Sequence, residues 1–224
     1  MGTVWGPNLV TDGLVLCLDA ANTLSYPGSG STWTDLSGNG NHATVGSSVT
    51  YSSTNGGGLT TLNETNTPNT AISGTFSLSS ANYTWEIWFK DNGSQGGDNS
   101  AFGVRDSIGI SSNGFRAQPY IQTAVDGSWV NLTTTALATS SPTQVIQRRN
   151  GTTFHGFVNG VISDTDTGGS GFGTFASYSM NDKSHTSSGN GWNGTYYLVK
   201  MYNRALTDAE VLQNFEANKG RFGL

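Results

Sequence analysis

The chain has 224 residues, a length at which β-sandwiches and barrels routinely fold as one unit, so a single domain over 1–224 is predicted. Charged residues make up 11% of it and the net charge is −5, which argues against the basic surface that nucleic-acid binding needs. No segment approaches the roughly 18 apolar residues of a membrane-spanning helix, and the N-terminus has no basic stretch before an apolar one. We therefore expect neither membrane insertion nor export by a signal peptide.

Short apolar or alternating segments recur between clusters of Gly, Ser, Asn, Asp and Pro, a pattern that predicts an all-β sandwich rather than alternating strands and helices. The first segment contains Cys17, the only cysteine, so an intramolecular disulfide is excluded and a buried thiol is expected. The Gly/Ser/Thr-rich stretches 46–70, 91–100 and 165–190 are predicted to be surface loops. The predicted strands, in chain order, are 13–19, 83–90, 101–104, 107–110, 115–124, 128–132, 143–149, 153–158, 161–164 and 195–202.

The segment 83–90 is predicted to be a central strand. Successive side chains of a strand point to opposite faces, so Trp85, Ile87 and Phe89 share one face that is entirely apolar. The other face mixes Glu86 with an aromatic and a cationic side chain. A strand with one fully apolar face belongs in the middle of a sheet that packs on a core.

A hairpin is predicted over about 153–164. Asn159 and Gly160 stand between pairs of apolar, mostly β-branched residues. These two residue types tolerate the positive φ angles that a type I′ turn requires at both central positions. The two strands that flank this turn should therefore pair with each other.

One short helix is predicted over about 207–218. Thr207 and Glu210 have the spacing of a capping box, in which each side chain bonds the backbone N–H of the other residue. Gly220 is the predicted C-terminal stop. The apolar stripe that would dock on the sandwich consists of Val211, Leu212 and Phe215.

Three segments resemble the laminin-G-like, or concanavalin A-like, jelly-roll domains that recur in virion proteins of tailed bacteriophages. They are 13–41 with the motif WTDLSGNGN, 83–90 with YTWEIWFK, and 157–161 with FVNGV together with 199–210, VKMYNRALTDAE. The resemblance covers both ends and the middle of the chain in the same order. It implies a two-sheet antiparallel jelly-roll sandwich with one short C-terminal α-helix, located on a virion surface.

The residues argue against catalysis. Retaining glucanases of this fold carry Glu-x-Asp-x-Glu on one strand, which places acid and nucleophile roughly 5 Å apart. Trp88 and Lys90 occupy the positions after Glu86 where carboxylates would be required. The three histidines lie far apart in the sequence and show no HExxH or Ser/His/Asp pattern. We therefore predict that the protein is not an enzyme and has no catalytic residues.

A glycine-rich loop offers hard oxygen ligands for calcium. The twelfth position of this loop is Gly46 rather than a bidentate Glu, so it is not an EF-hand. Some laminin-G-like domains bind calcium at a loop rim, and Asp19 would complete such a site. In the alternative interpretation these side chains only fold the turn by bonding their own backbone. No cofactor is required, and the candidate Ca²⁺ ligands in the loop are Asp35, Ser37, Asn39 and Asn41.

Aromatic residues in polar loops are candidates for contact with a glycan or with a protein partner, because sugar rings stack on aromatic faces and amides bond hydroxyls. The candidates are Trp192, Tyr178, Asn190 and Asn193. For Trp192, packing against a neighbouring protein is an equal alternative.

The preferred hypothesis is a non-enzymatic structural protein of the virion surface, which decorates a capsid or is associated with a tail. Its partners would be other virion proteins, a further copy of the chain and a host surface glycan. The alternative is a host-recognition lectin at the tip of a tail fibre. Because the domain fills the chain and no shaft repeat is present, decoration is favoured, and glycoside hydrolysis is the third hypothesis.

Overall fold

Two β-sheets and one C-terminal helix make up the protein in a computed structural model. The structure describes residues 8–62, 71–93, 99–106, 112–117, 121–125, 128–131, 141–167, 174–181 and 190–224. The strands in chain order are β1 (Leu14–Asp19), β2 (Thr32–Trp33), β3 (Ala43–Val45), β4 (Thr50–Ser52), β5 (Gly58–Thr61), β6 (Ile72–Leu78), β7 (Tyr83–Asp91), β8 (Asn99–Asp106), β9 (Ser112–Ala117), β10 (Ile121–Val125), β11 (Ser128–Asn131), β12 (Thr143–Asn150), β13 (Thr153–Val158), β14 (Val161–Thr167), β15 (Phe175–Met180), β16 (Asn190–Gly191) and β17 (Gly194–Tyr202).

The strands form two sheets that pack face to face. Sheet 1 has the order β14-β13-β12-β7-β17-β5-β4, with β1 also paired to β17. Sheet 2 has the order β11-β10-β9-β8-β15-β6-β3-β2, and β16 adds a short parallel pair with β8. The other described pairs are antiparallel, which confirms the predicted all-β, two-sheet antiparallel sandwich.

Strand β7 is central, as predicted, but both of its faces are buried. Trp85, Ile87 and Phe89 belong to the core between the sheets. On the outer face Glu86 and Trp88 are completely inaccessible to solvent. The C-terminal helix covers this outer face, so the strand is buried on both sides.

The predicted hairpin is confirmed and continues to the end of β14. Asn159 and Gly160 have φ angles of 50° and 77°, and Val158 pairs with Val161 across the two-residue turn. The Asn159 carboxamide also accepts a hydrogen bond from the backbone of Gln144, which ties the turn to β12.

The helix α1 (Asp208–Lys219) begins at the predicted capping box, with both reciprocal bonds between Thr207 and Glu210 present. Two details of the prediction are wrong. Leu212 is 46% exposed and Asn214 is buried instead, because the helix docks on a polar cluster as well as on apolar side chains. Gly220 keeps right-handed helical angles and opens a 3₁₀ turn over Gly220–Phe222, and the left-handed residue is Gly223. This described helix is also too short to cross a membrane.

The predicted loops 46–70 and 165–190 contain strands that the sequence pattern did not indicate. β4 and β5 lie in the first stretch and β15 in the second. Their Thr-, Ser- and Gly-rich sequences lack a long alternation of apolar and polar residues. These segments are strands because they pair with neighbouring strands of the sheet. The predicted strand 107–110 lies outside the described residues.

Candidate functional site

The carboxylate of Asp35 organises the loop that was predicted to bind calcium. Its Oδ1 accepts hydrogen bonds from the backbone N–H groups of Cys17 at 2.8 Å and Ser37 at 2.9 Å. Its Oδ2 accepts from the Ser37 hydroxyl at 2.7 Å and from the Asn41 backbone at 3.0 Å. Four donors occupy the two oxygens, an arrangement that favours the interpretation in which Asp35 folds the turn.

The remaining calcium candidates are also engaged in local contacts. The amide nitrogens of Asn39 and Asn41 donate to the carbonyl oxygens of Leu14 and Val15. Oδ1 of Asp19 accepts from the Ala21 backbone and from a guanidinium group. The described part of the chain contains no group of three His, Cys, Asp or Glu side chains able to hold a metal ion. Calcium binding stays a prediction, and these contacts weigh against it.

Trp192 does not lie in an exposed loop, so its predicted role as a surface contact is wrong. Its side chain is fully buried, and its ring makes edge-to-face contacts with Phe89 and Tyr196, each with ring centroids 5.1 Å apart. The backbone N–H donates to the Asn181 carboxamide. The ring covers Gly194, where a Cβ atom would collide with it, so a neighbouring glycine makes the burial sterically feasible.

Tyr178 is buried as well, which contradicts its predicted exposure. Its hydroxyl donates to the carbonyl oxygen of Asn41 at 2.9 Å, and desolvation by burial raises the pKa of the phenol. The carbonyl oxygen of Asn193 accepts from the Asn92 backbone. Asn190 pairs with Asn99 through the backbone, and its side chain lies outside the described part.

A polar cluster is buried between sheet 1 and α1, a feature that the sequence analysis missed. Oε1 of Glu86 accepts from Trp88 Nε1 at 3.1 Å, Gln144 Nε2 at 3.0 Å and Lys200 Nζ at 3.1 Å. Its Oε2 accepts from Asn214 Nδ2 at 2.8 Å. Because both charged side chains are inaccessible to solvent, this cluster joins the helix to the sheet and offers no site to a ligand.

Cys17 also lies between sheet 1 and the C-terminal segment that covers it. It packs among Trp88, Tyr197 and Leu198, and desolvation by burial raises the pKa of its thiol to about 12. A thiol with that pKa carries almost no thiolate at neutral pH and is a poor nucleophile or metal ligand.

A shallow groove on the outer face of sheet 2 is one candidate binding surface. We call it the sheet-2 groove, and its volume is about 360 Å³. It runs across β3, β6 and β15, where Thr44 opposes Ser73 and Thr75 opposes Ser177. Gly74 opposes Tyr178, and the absence of a Cβ at Gly74 makes room for the Tyr178 ring on the core side of the sheet. The described residues that line the groove are His42, Thr44, Ser73, Gly74, Thr75, Ser177 and Tyr178.

One hydrogen bond bears on the tautomer of His42 at this groove. Nδ1 accepts from the backbone N–H of Asp35 at 3.0 Å, so the neutral imidazole carries its proton on Nε2. His42 is exposed, and it adds one N–H donor to a surface of hydroxyl groups.

A smaller cavity of about 200 Å³ lies on the outer face of sheet 1, and we call it the sheet-1 groove. It lies across β4, β5, β7 and β17, beyond the part of the sheet that α1 covers. It is lined by Ser52, Thr54, Gly58, Thr60, Lys90, Thr195 and Tyr197.

No family model and no curated protein matches the sequence, but the structure resembles solved structures. Over 98% of this chain it is similar to Trypanosoma rangeli sialidase in complex with the inhibitor DANA, with a TM-score of 0.70 and 13% identity. Over 91% it is similar to the receptor binding domain of botulinum neurotoxin type G, with a TM-score of 0.66 and 11% identity.

A third similar structure is domain 4 of AbnA, a GH43 extracellular arabinanase from Geobacillus stearothermophilus, in complex with arabinotriose. The match covers 91% of this chain and 98% of that domain, with a TM-score of 0.61 and 16% identity. In contrast, the chain spans only 36% of the sialidase and 51% of the neurotoxin domain. At these identities the likenesses establish that the chain folds as a two-sheet β-sandwich of the jelly-roll type.

Proposed function

We propose that this domain is a non-enzymatic carbohydrate-binding module that holds a short segment of a neutral glycan in the sheet-2 groove. The observation that carries the proposal is the lining of that groove. Neutral hydrogen-bonding side chains project from three adjacent strands, and Thr44 and Thr75 are exposed at its surface. Hydroxyl groups both donate and accept, so they match the hydroxyl groups of a sugar.

The shape of the groove suits a chain of sugar residues. The methyl groups of the exposed Thr44 and Thr75 offer small apolar contacts to the C–H faces of a sugar. Nε2–H of His42 supplies a directed donor at one end. Sites of this kind combine apolar surface with a few placed polar groups.

Two of the similar structures support a sugar as the ligand. The arabinanase domain was solved with arabinotriose, a neutral sugar, and the sialidase with sialic acid, a charged one. Most glycoside hydrolases use a pair of carboxylates beside the bound sugar. The described residues that line the sheet-2 groove include neither Asp nor Glu, and a binding role without turnover is therefore the simpler proposal.

The test starts with a glycan array and continues with calorimetry on arabinotriose and on the best array ligand. The key variant is Thr44→Val/Thr75→Val, which removes two hydroxyl groups and keeps the side-chain shape. Two lost hydrogen bonds of about 0.5–1.5 kcal/mol each should weaken binding roughly 5- to 150-fold. The matched control is Thr165→Val/Thr167→Val, which changes two exposed threonines of β14 and should leave the affinity unchanged.

Two results would refute the proposal. One is the absence of any glycan that binds the wild type at millimolar concentration. The other is a ligand whose affinity is the same for both double variants. Release of reducing sugar during incubation with the ligand would contradict the non-enzymatic part alone.

Decoration of a phage capsid or tail stays a prediction, since it rests on the resemblance of three sequence segments. A host-recognition lectin is closer to the function proposed here, because both require a sugar in the binding site. Imaging of purified particles with a labelled copy of the domain would test a location on a virion.

A further inference from the structure

We propose that the sheet-1 groove is a second binding site, which takes one sugar residue that carries a carboxylate. This inference goes beyond the proposed function, because it concerns the opposite sheet and a charged ligand. It rests on three features of the groove: a row of polar side chains, a rigid back wall and an ammonium group without an acidic partner among the described residues.

The polar row follows from strand register. Lys90 on β7 opposes Thr195 on β17, and Thr195 opposes Thr60 on β5. Residues that oppose each other in a sheet point to the same face with Cβ atoms about 4.5–5.5 Å apart. The three side chains therefore form one line across the outer face, with the ammonium group at one end.

One hydroxyl proton of this row is free for a ligand. The hydroxyl oxygens of Thr60 and Thr195 are 2.9 Å apart and share a single hydrogen bond. The Asn92 amide donates to the Thr195 hydroxyl oxygen at 3.1 Å, which favours Thr195 as the donor to Thr60. The Thr60 hydroxyl can then donate to a ligand oxygen.

Glycine at position 58 allows two side chains of the groove to pack closely on β5. A Cβ at Gly58 would stand 2.6 Å from Cγ2 of Thr195 and 2.8 Å from Cε1 of Tyr197. Either distance is a severe clash, so the neighbouring side chains occupy the volume that a side chain here would need. The Thr195 and Tyr197 side chains are therefore held against the backbone of β5, where they form walls of the cavity.

A β-bulge in β17 supplies the back wall. Tyr196 opposes Phe89 and Leu198 opposes Trp88, so Tyr197 is the extra residue. Tyr196 points into the core, whereas Tyr197 and Leu198 both face the outer side of sheet 1. A bulge redirects side chains in this way and is common beside functional sites.

The 3₁₀ turn after α1 holds this wall in place. The Phe222 ring makes an edge-to-face contact with Tyr197 at 5.2 Å. The Arg221 guanidinium donates to the carbonyl oxygens of Asn55 and Gly57, each at 2.7 Å, and forms an ion pair with Asp19 at 2.8 Å. The arginine charge is thus already compensated, and the wall needs no rearrangement to receive a ligand.

The charge of Lys90 is not compensated in the described part of the chain. Lys90 is half-buried, forms no ion pair with a described residue, and none of the lining residues is acidic. Asp91 follows it but points to the other face by strand alternation, where it accepts from the Gly93 backbone. In a protein of net charge −5, a cation among hydroxyl groups selects for an anionic, hydroxylated ligand.

The size of the cavity limits the ligand to a single ring. Sites for drug-sized molecules have volumes of about 300–1,000 Å³, whereas this cavity has about 200 Å³. A uronic acid residue meets all the requirements, since its carboxylate can pair with Lys90 and its hydroxyls can bond Thr60 and Ser52.

The experiment compares two sugars that differ in one group. Methyl β-D-glucuronide and methyl β-D-glucoside are titrated into ¹⁵N-labelled protein, and chemical-shift changes are followed. The wild type should bind the glucuronide at least tenfold more tightly than the glucoside, and the preference should shrink as salt is added. Lys90→Met should abolish the preference, with circular dichroism as the check on folding.

Two controls separate this site from the sheet-2 groove and from general charge. Lys219→Met removes the same charge from a lysine that pairs with Glu216 on the helix, and it should keep the preference. Thr44→Val/Thr75→Val should also keep it, whatever becomes of neutral glycan binding. The inference is overturned if the wild type binds neither sugar or both equally, or if Lys90→Met retains the preference.

Discussion

Substitution of Lys200 by Met should be strongly destabilising although it conserves the length of the side chain. Lys200 and Glu86 are directly opposite on β17 and β7, and neither side chain is accessible to solvent. The variant leaves the carboxylate of Glu86 buried with three neutral donors and no cation. Removal of one member of a buried pair costs about 3–5 kcal/mol, mainly because the other charge is left uncompensated.

That loss is large for a domain of this size. Total stabilities are about 5–15 kcal/mol, and for 150–250 residues each kcal/mol shifts the Tm by roughly 2–4 °C. The Tm of Lys200→Met should therefore fall by about 6–20 °C in a thermal melt followed by circular dichroism. Urea unfolding at 25 °C should likewise show that Lys200→Met is less stable than the wild type. The m-value should be the same for both proteins if each unfolds in two states.

Two further variants make the test specific. Lys219→Met breaks an ion pair whose side chains are 37% exposed, and exposed pairs contribute only about 0–1 kcal/mol. Glu86→Gln/Lys200→Met removes both charges, so its cost should be smaller than the sum of the two single changes by about 0.5–3 kcal/mol. A fall in Tm for Lys200→Met no larger than that for Lys219→Met would refute the reasoning.

Two other predictions follow from the packing of single residues. Trp192→Ala should lower the free energy of unfolding by about 3–5 kcal/mol in urea titrations, the usual cost of truncating a buried aromatic residue. At low temperature the folded variant should still bind glycan, and selective loss of binding would contradict the burial. The bidentate contact with Arg204, followed by contacts with Thr207, lowers the pKa of Glu210 from 4.5 to about 2. Its contribution is present above pH 4.5 and is lost as the pH falls towards 2, so Glu210→Gln should destabilise at pH 7 and flatten the acid limb of the stability curve. Equal effects of Glu210→Gln at pH 7 and pH 2 would contradict this.

Features encoded by a few adjacent residues were predictable from the sequence. The hairpin depends on Asn159 and Gly160, whose φ preferences act without help from the rest of the chain. The start of the helix depends on Thr207 and Glu210, which bond each other. The helix end was less predictable, because Gly220 keeps helical angles while the 3₁₀ turn docks on Tyr197 through Phe222.

The location of side chains inside the sandwich depends on distant residues and was not predictable in the same way. The Gly-Asn-Gly-Trp-Asn-Gly context suggests an exposed loop, yet Trp192 is buried against residues of other strands. Glu86 was placed correctly on the face opposite Trp85, but its burial depends on Asn214, more than a hundred residues away. Two opposite charges, Glu86 and Lys200, stand between apolar residues of two strands, and this is the signal that could have indicated the pair.

The candidate grooves were harder to foresee because residues from several strands form them. Gly74 and Gly58 resemble ordinary loop glycines in the sequence, and only the close approach of Tyr178 and Tyr197 shows that a side chain at either position would clash. Lys90 was recognised only as a strand residue. Its significance comes from the absence of an acidic partner among the described residues that line the groove, which depends on register across three strands.

The extra residue in β17 also separates two requirements, a constant core between the sheets and a binding surface that can vary on the outside. Tyr197 has no partner on β7 and packs on the outer side of sheet 1 against Phe222, so it is not part of the core between the sheets. Aromatic substitutions that keep this packing can therefore alter ligand preference while the core between the sheets stays constant. A library restricted to aromatic residues at position 197 should contain well-folded members with different specificities, whereas Tyr197→Ala should lose stability by about 3–5 kcal/mol.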